Sequence, residues 1–295
     1  MATISRGTTA EKFQFIARHK DPYGVKPLCK HLQVSPSGYY DWFHREESNR
    51  SRSDKVLLRH IQNIFTESKG IYGSPRIHQA LQKQGIFVGR KRVARLMKQA
   101  GLRARFARVY RYRKDKYENS YVADNLRRQV NKPDGINQQW TTDLTYIRLG
   151  KHWIYLVVVL DLYSRRIVGW SLGQDTRTHI VMRALDFAVR KRQPPPGLIF
   201  HSDRGTEYIA GVLKARTEAY GMLRSMSRAY RSIDNAEVES FFQKLKGEYL
   251  KGKECQTVKQ VRKLIASYIN RFYNPKRLHS SLGYVSPMEY ERRAA

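Results

Sequence analysis

The sequence predicts an α/β domain, a mixed sheet flanked by helices, preceded by all-α helix-turn-helix modules. Three observations predict it. Two stretches of helical period, each broken once, precede residue 102; three strand-like runs follow residue 136; helical and strand patterns alternate after them. The 295 residues suffice for two or three domains with their own cores. A composition that is 41% hydrophobic and 12% aromatic can bury enough apolar surface to offset chain entropy. The boundaries expected are 1–50 for a first helix-turn-helix-like module, 51–102 for a second, 103–135 for a basic linker and 136–295 for the α/β domain with its C-terminal helices.

In the first module, Val25, Leu28, Cys29 and Leu32 recur at helical spacing. A break at Ser35-Pro36-Ser37-Gly38 follows, then the aromatics Tyr39, Tyr40, Trp42 and Phe43. Ser35 as cap, with Pro36 in the first helical position, starts a helix well. An ordinary helical hairpin fits these residues equally well. In the second module Ile77, Ala80 and Leu81 form one apolar face, Gly85 breaks the helix, and Val93, Leu96, Met97 and Ala100 repeat the stripe up to Gly101. Burying that stripe turns Arg92, Arg95, Lys98 and Gln99 outward, as a helix approaching phosphates and base edges requires. Residues 88–116 carry twelve Lys or Arg against Asp115 alone. Such a density repels itself unless a polyanion offsets it. Arg90, Lys91, Arg92, Arg95 and Lys98 are therefore expected DNA contacts.

Charge supports the same partner throughout. Lys and Arg number 56 against 25 Asp and Glu, a net +31, far beyond the needs of solubility. The excess is +18 over residues 1–135 and +13 over 136–295, so both halves are expected to touch nucleic acid. An anionic membrane is the other polyanion, but no apolar run approaches the roughly 20 residues that span a bilayer, and the N-terminus has no secretory pattern. The longest run, Ile154 to Leu160, reads as a strand. Cys29 and Cys255 alone encode neither a disulfide framework nor a cysteine zinc site, which fits a reducing cytoplasm.

Helical period fades from about residue 103, and Lys132-Pro133-Asp134-Gly135 closes the linker. Gln139–Arg148, His152–Leu160 and Arg166–Leu172 then read as an antiparallel meander. A helix over about 177–191, a short strand over Gly197–Ser202 and a helix over about 209–220 follow, with two more helices over about 234–250 and 257–273.

Carboxylates stand where chemistry would sit. Asp143 lies in the first strand, where alternation sets it opposite Trp140, Thr142, Leu144 and Tyr146 and so away from an apolar core. Asp203 follows the fourth strand in His201-Ser202-Asp203-Arg204-Gly205, and Gly205 allows a sharp turn. Glu239 lies in a helix that Asp234 or Asn235 can cap, with Val238, Phe241, Phe242 and Leu245 on its apolar side. Three converging acids repel unless divalent cations neutralise them, and Mg²⁺ prefers such hard oxygens. Taken singly, each acid reads equally as a cap, turn residue or ion-pair partner.

Tyr72-Gly73-Ser74-Pro75-Arg76-Ile77, Lys91-Arg92-Val93, Trp140-Thr141-Thr142-Asp143-Leu144-Thr145-Tyr146, Val168-Gly169-Trp170, His201-Ser202-Asp203-Arg204-Gly205, Asp234-Asn235-Ala236 with Glu239-Ser240-Phe241-Phe242, Leu245-Lys246 and His279-Ser280-Ser281-Leu282-Gly283-Tyr284 form one set. With it, nearly end to end, the chain resembles the second-reading-frame transposases of the third family of bacterial insertion sequences, within the retroviral-integrase-like, three-carboxylate (DDE) superfamily. The 35 residues between Asp203 and Glu239 match that family's spacing.

The resemblance implies a ribonuclease-H-like catalytic fold and a metal-binding catalytic triad of Asp143, Asp203 and Glu239 holding two Mg²⁺ ions, with Mn²⁺ able to substitute. It adds Lys246, seven positions after Glu239 and on the same helical face, and Arg204 beside Asp203 as DNA contacts. The implied reaction is cleavage at the ends of a mobile element and strand transfer, through a circular form, on double-stranded terminal repeats and target DNA. A homo-oligomer on DNA, a fusion or partnership with an upstream helix-turn-helix protein and a location on the bacterial nucleoid go with it. Two other readings are a DNA-binding regulator derived from a transposase and a nuclease that cleaves without joining. Departures from the family pattern are Glu207, where Gln is common, and Tyr230-Arg231-Ser232-Ile233 before Asp234. Glu237, two residues before Glu239, points to nearly the opposite side of the helix and is expected to be a solvated surface residue. Asp161 reads as structural or as a neighbour of the acids, and Arg277 and His279 as helix packing or a phosphate contact.

Overall fold

The computed structural model describes residues 7–105, 123–150, 152–174, 178–227 and 232–294. Part of the expected basic linker, with Arg108, Arg111, Arg113, Lys114 and Lys116, lies outside the described residues, as do Tyr230 and Arg231. The chain divides into two compact units, Met1–His60 and Ile61–Ala295.

The first unit packs α1 (Thr9–Tyr23), α2 (Val25–His31) and α3 (Pro36–His44) around Phe13, Ile16, Cys29, Leu32 and Tyr39. Thr8 and Glu11 cap α1 reciprocally, each satisfying a backbone N–H of the other. Gly24, at φ 75°, takes the left-handed conformation that parts α1 from α2. Ser35 caps α3 with Pro36 in its first turn, as its sequence predicts. α4 (Asn49–Glu67) then carries the chain into the second unit.

There α5 (Ser74–Lys83) and α6 (Arg90–Gln99) bury Ile77, Leu81, Val93, Leu96 and Met97, the predicted stripe, and leave Arg90, Lys91 and Lys98 exposed. The segment that precedes and opens α5 is fastened to the far end of the chain. The Tyr72 hydroxyl donates to Lys276 O at 3.1 Å and accepts from Leu278 N at 3.0 Å, and Arg76 Nε donates to Leu278 O at 3.0 Å.

The described residues form one five-stranded sheet in the order β3-β2-β1-β4-β5. β1 (Gln139–Leu149), β2 (His152–Asp161) and β3 (Ile167–Gly173) are the antiparallel meander, with Asp143 opposite Val158. β4 (Ile199–Ser202) pairs parallel with β1, and β5 (Leu223–Met226) parallel with β4. Between them come α7 (Thr178–Arg192), α8 (Thr206–Ile209) and α9 (Gly211–Ala219). α7 buries Ile180, Val181, Ala184, Leu185 and Ala188 against Val157, Val159 and Val168. α10 (Ala236–Lys244) runs on as a π-helical stretch, Leu245–Leu250, and α11 (Val258–Tyr268) as another, Ile269–Tyr273, before α12 (Pro287–Ala294).

β5 and α12 escape the sequence pattern. Four residues, Leu-Arg-Ser-Met, hold too little alternation to announce a strand, and pairing with β4 makes them one. The described end of the linker lies along this strand, for Asp124 O accepts from Met226 N at 3.2 Å and Leu126 N donates to Ser225 Oγ at 3.0 Å. An edge strand's backbone groups need partners, and here the linker supplies them.

Candidate active site

Parallel pairing ends just short of two of the acids. Thr141 pairs with His201 as the last pair of β1 and β4, so Asp143 and Asp203 each follow two residues beyond it, Asp143 within β1 and Asp203 just past the end of β4. Asp143 Oδ1 accepts from Leu144 N at 2.8 Å. Asp203 begins the turn after β4, where its Oδ1 accepts from Gly205 N at 3.0 Å. Asp143 is nonetheless buried: β1 is buried on both sides from Gln139 to Asp143, and Asp143 is 8% exposed. The meander and α7 account for one side and α10, which packs on β1, for the other.

Tyr208 reports on the carboxylates. Its hydroxyl is buried 3.3 Å from Thr142 Oγ1, and its ionisation is pushed far up, first by burial and then by the negative charges of Asp143, Glu207 and Asp203. Glu207, the departure from the family pattern, thus belongs to the electrostatics of the site.

The third acid arrives on a clamped helix. Neither Asp234 nor Asn235 caps α10 with its side chain. Instead Asn235 Oδ1 accepts from the Thr141 hydroxyl and Asn235 Nδ2 donates to Thr142 O at 3.1 Å, tying the start of α10 to β1 immediately before Asp143. Glu239 stands one helical turn beyond Asn235, on the same face. Asp234 accepts from Asn125 Nδ2 at 2.8 Å, and its carbonyl from Arg127.

Glu237 is not a solvated residue: it pairs with Arg127 at 3.2 Å and with Arg165 at 3.1 Å. The linker residue Arg127 packs close enough to reach it, which no local pattern shows. Lys246 does turn toward β1, its Nζ 4.7 Å from the centroid of the Tyr146 ring. Burial lowers its pKa while the Asp143 charge raises it, a sign that the two charges feel each other. Arg204 Nε donates to Ser227 O at 2.9 Å, fixing its stem beside Asp203.

Tyr208 is a neighbour of the acids that sequence patterns leave unmarked, while the contacts of His201 and Asn235, both within the motifs, are not legible in them. Burial, then the Arg127 charge, pushes His201 down to about 3. The neutral ring bonds Ser225 Oγ at 2.8 Å and Ser227 Oγ at 3.0 Å, bracing the strand end that presents Asp203. Asp161 is structural, accepting from Asn137 N, Trp140 Nε1, Tyr163 N and Ser164 N, all between 2.8 and 3.3 Å. Arg90, Lys91, Arg92, Arg95 and Lys98 sit apart from the carboxylates in sequence and element, on α6.

Carboxylates within one strand, just past the end of its neighbour and on a helix tied to the first strand are hard oxygen donors of the kind divalent cations take. Among the described residues, no three His, Cys, Asp or Glu side chains are already drawn together as a metal cage. The three carboxylates fit such an ion in the chemistry of their oxygens.

The Integrase core domain family matches residues 133–232 and, in a second family of that description, 220–287; the HTH-like domain family matches residues 51–110. The transposase InsF for insertion sequence IS3A of Escherichia coli is 34% identical over 288 residues, 96% of this chain and 99% of that one. An uncharacterized 31 kDa protein of insertion element IS600 from Shigella sonnei is 38% identical over 266 residues, 90% of this chain and 98% of that one. Among solved structures, the HTLV-2 integrase catalytic core domain in complex with magnesium is 15% identical, covering 52% of this chain and 95% of that one at a TM-score of 0.40. An HTH-like domain ahead of an integrase core, with identity running through nearly the whole length, places this chain in the IS3 family of transposases.

Proposed function

We propose that this transposase cuts and joins DNA by phosphoryl transfer at Asp143, Asp203 and Glu239. What supports this is the parallel pairing of β1 and β4, whose last pair, Thr141 with His201, comes two residues before Asp143 and Asp203, together with the Asn235 clamp that ties the start of α10, the helix of Glu239, to β1. Two Mg²⁺ ions, or Mn²⁺ in their place, held among these carboxylates supply activation of the attacking oxygen and stabilisation of the leaving one.

The protein's own groups orient the rest. Lys246 meets a phosphate next to the scissile one, Arg204 holds the strand end at Asp203, and buried Tyr208 keeps bulk water from the floor of the site. Water attacks first at an element terminus and frees a 3′-hydroxyl. That hydroxyl then attacks a second phosphodiester, with no covalent protein intermediate. The basic residues of α6, exposed Arg90, Lys91 and Lys98 with half-buried Arg92 and Arg95, take the double-stranded element end. Joining two ends calls for at least two copies on DNA, alone or with an upstream helix-turn-helix partner. No helix of the described residues is long and apolar enough to cross a membrane, and the work is assigned to DNA in the cytoplasm.

The test uses purified protein, element-end DNA and Mg²⁺, with Asp203→Asn alongside. Cleaved and joined products from the wild type, and neither from a variant that still binds, are expected. Joining by Asp203→Asn at the wild-type rate defeats the assignment; binding without chemistry in the wild type favours a regulator, and cleavage without joining a nuclease.

A further inference from the structure

On the opposite side of α10 from Asn235, four cations gather around one histidine. Arg76 of α5, Arg165 of the β2–β3 turn, Lys244 of α10 and Arg277 beyond α11 all act on His279, which burial and then these charges push down to about 2. Among the described residues the carboxylates acting on these cations are engaged: Asp161, which faces Arg165, accepts from backbone N–H groups. Glu248 accepts from Arg277, at 2.9 Å from its Nε and again from its Nη2, and from the Tyr268 hydroxyl at 3.2 Å. Glu237 is shared by Arg127 and Arg165.

Lys244 and Arg76 are left over. Lys244 Nζ donates to Ser240 Oγ at 2.7 Å and Arg76 Nε to Leu278 O at 3.0 Å; neither has a carboxylate within ion-pair distance among the described residues. Two more nitrogens, Arg277 Nη1 and His279 Nε2, are buried without a hydrogen-bond partner among the described residues, in residues 1% and 4% exposed. Folding has therefore gathered uncompensated positive charge and unused donors at one place, which is costly unless something anionic completes it. Burial, followed by the Arg277 charge, holds Lys244 down to about 8, the mark of that cost. A tetrahedral oxyanion offers several acceptor oxygens to donors arriving from different elements, and guanidinium groups suit it well.

We propose that Lys244, Arg76, Arg277 and the Nε2–H tautomer of His279 form a pocket for one backbone phosphate of bound DNA, distinct from the three-carboxylate site and from the basic face of α6. DNA is the favoured source over free phosphate because of what builds the pocket. α5 falls in the HTH-like match, α10 carries Glu239, and the segment to which Tyr72 and Arg76 bond holds Arg277, which pairs with Glu248 in the stretch that continues α10. A phosphate held there would set the register of the duplex between the reading helices and the catalytic core. The inference rests on the chain acting on DNA and not on the roles of the three acids.

The test is the salt dependence of binding to a short duplex of arbitrary sequence, without divalent metal so that no cleavage intervenes. Wild type, Lys244→Met, Lys244→Arg and Arg76→Gln are compared, each with its melting temperature. Lys244→Met and Arg76→Gln are expected to weaken binding roughly five- to tenfold and to lower the slope of log K against log salt by about one. Lys244→Arg keeps both. Folded Lys244→Met and Arg76→Gln proteins with wild-type affinity and slope would overturn the proposal. So would a melting temperature raised by inorganic phosphate, relative to chloride at equal ionic strength, in a protein whose DNA slope ignores both substitutions, since the pocket would then take free phosphate.

Discussion

Asn235→Ala tests whether the clamp, and not helix packing alone, delivers Glu239. The substitution strips the partner from two buried groups, the Thr141 hydroxyl and Thr142 O, in residues with no exposed surface. Each group left unsatisfied costs about 1–3 kcal/mol, so the loss is about 2–6 kcal/mol. In a unit of this size that lowers the melting temperature by roughly 5–15 °C. With its tie to β1 gone, α10 is free to shift. A displacement of about 1 Å in a catalytic group is worth on the order of a hundredfold in rate. Thermal melting and strand-transfer assays on the same preparation read both effects, and duplex affinity should stay near wild type because no phosphate contact is touched. Asn235→Asp keeps the shape but loses the donor to Thr142 O and adds a negative charge beside Asp143, so it should behave like the alanine variant. An Asn235→Ala protein that melts with the wild type and joins at its rate would refute the reasoning.

Other expectations follow from single contacts. A Cβ at Gly169 would lie 2.3 Å from Ala184 O and 2.8 Å from Ala188 Cβ, so Gly169→Ala should force α7 off the sheet and destabilise by about 3 kcal/mol, read in a denaturant melt. His201 has a native pKa of about 3, below its ordinary 6.5, so the unfolded chain binds the extra proton between those values. Stability should fall as pH drops from 6.5 toward 3, by about 1.4 kcal/mol per unit for this one residue, and His201→Asn should flatten that limb. Lys244, with a native value of about 8 against 10.5, gives the same sign in another window: its charge burdens the fold below pH 8 and ceases to do so by 10.5. Lys244→Met should therefore gain stability over wild type at neutral pH and lose that gain as pH rises. Arg127→Met unties α10 from the linker and leaves Glu237 to Arg165 alone, and should slow joining while leaving duplex affinity intact.

Much of the molecule was legible in the residues. Helical stripes marked α5 and α6, and the three long strands stood out because each is near or above seven residues and bounded by turn signals. The acids could be named from motif and spacing. Less legible was whatever depends on partners remote in the chain. Asp234-Asn235 looks like a helix cap because Asn and Asp usually serve that way; β1 offered Asn235 a buried hydroxyl and a carbonyl instead. Glu237 looked solvated because helix geometry turns it from Glu239, and Arg127, 110 residues earlier, closes over it.

What the sequence by itself determined is the family, the chemistry available and which segments are helix or strand, because periodicity and side-chain type are local properties carried by each stretch of chain. Only the tertiary structure decided that β1 and β4 pair in parallel up to two residues before Asp143 and Asp203, that the linker pairs with an edge strand and that Lys244 and Arg76 have no counter-ion among the described residues. Strand register, desolvation and charge compensation are sums over neighbours brought together by folding, and no single segment contains them.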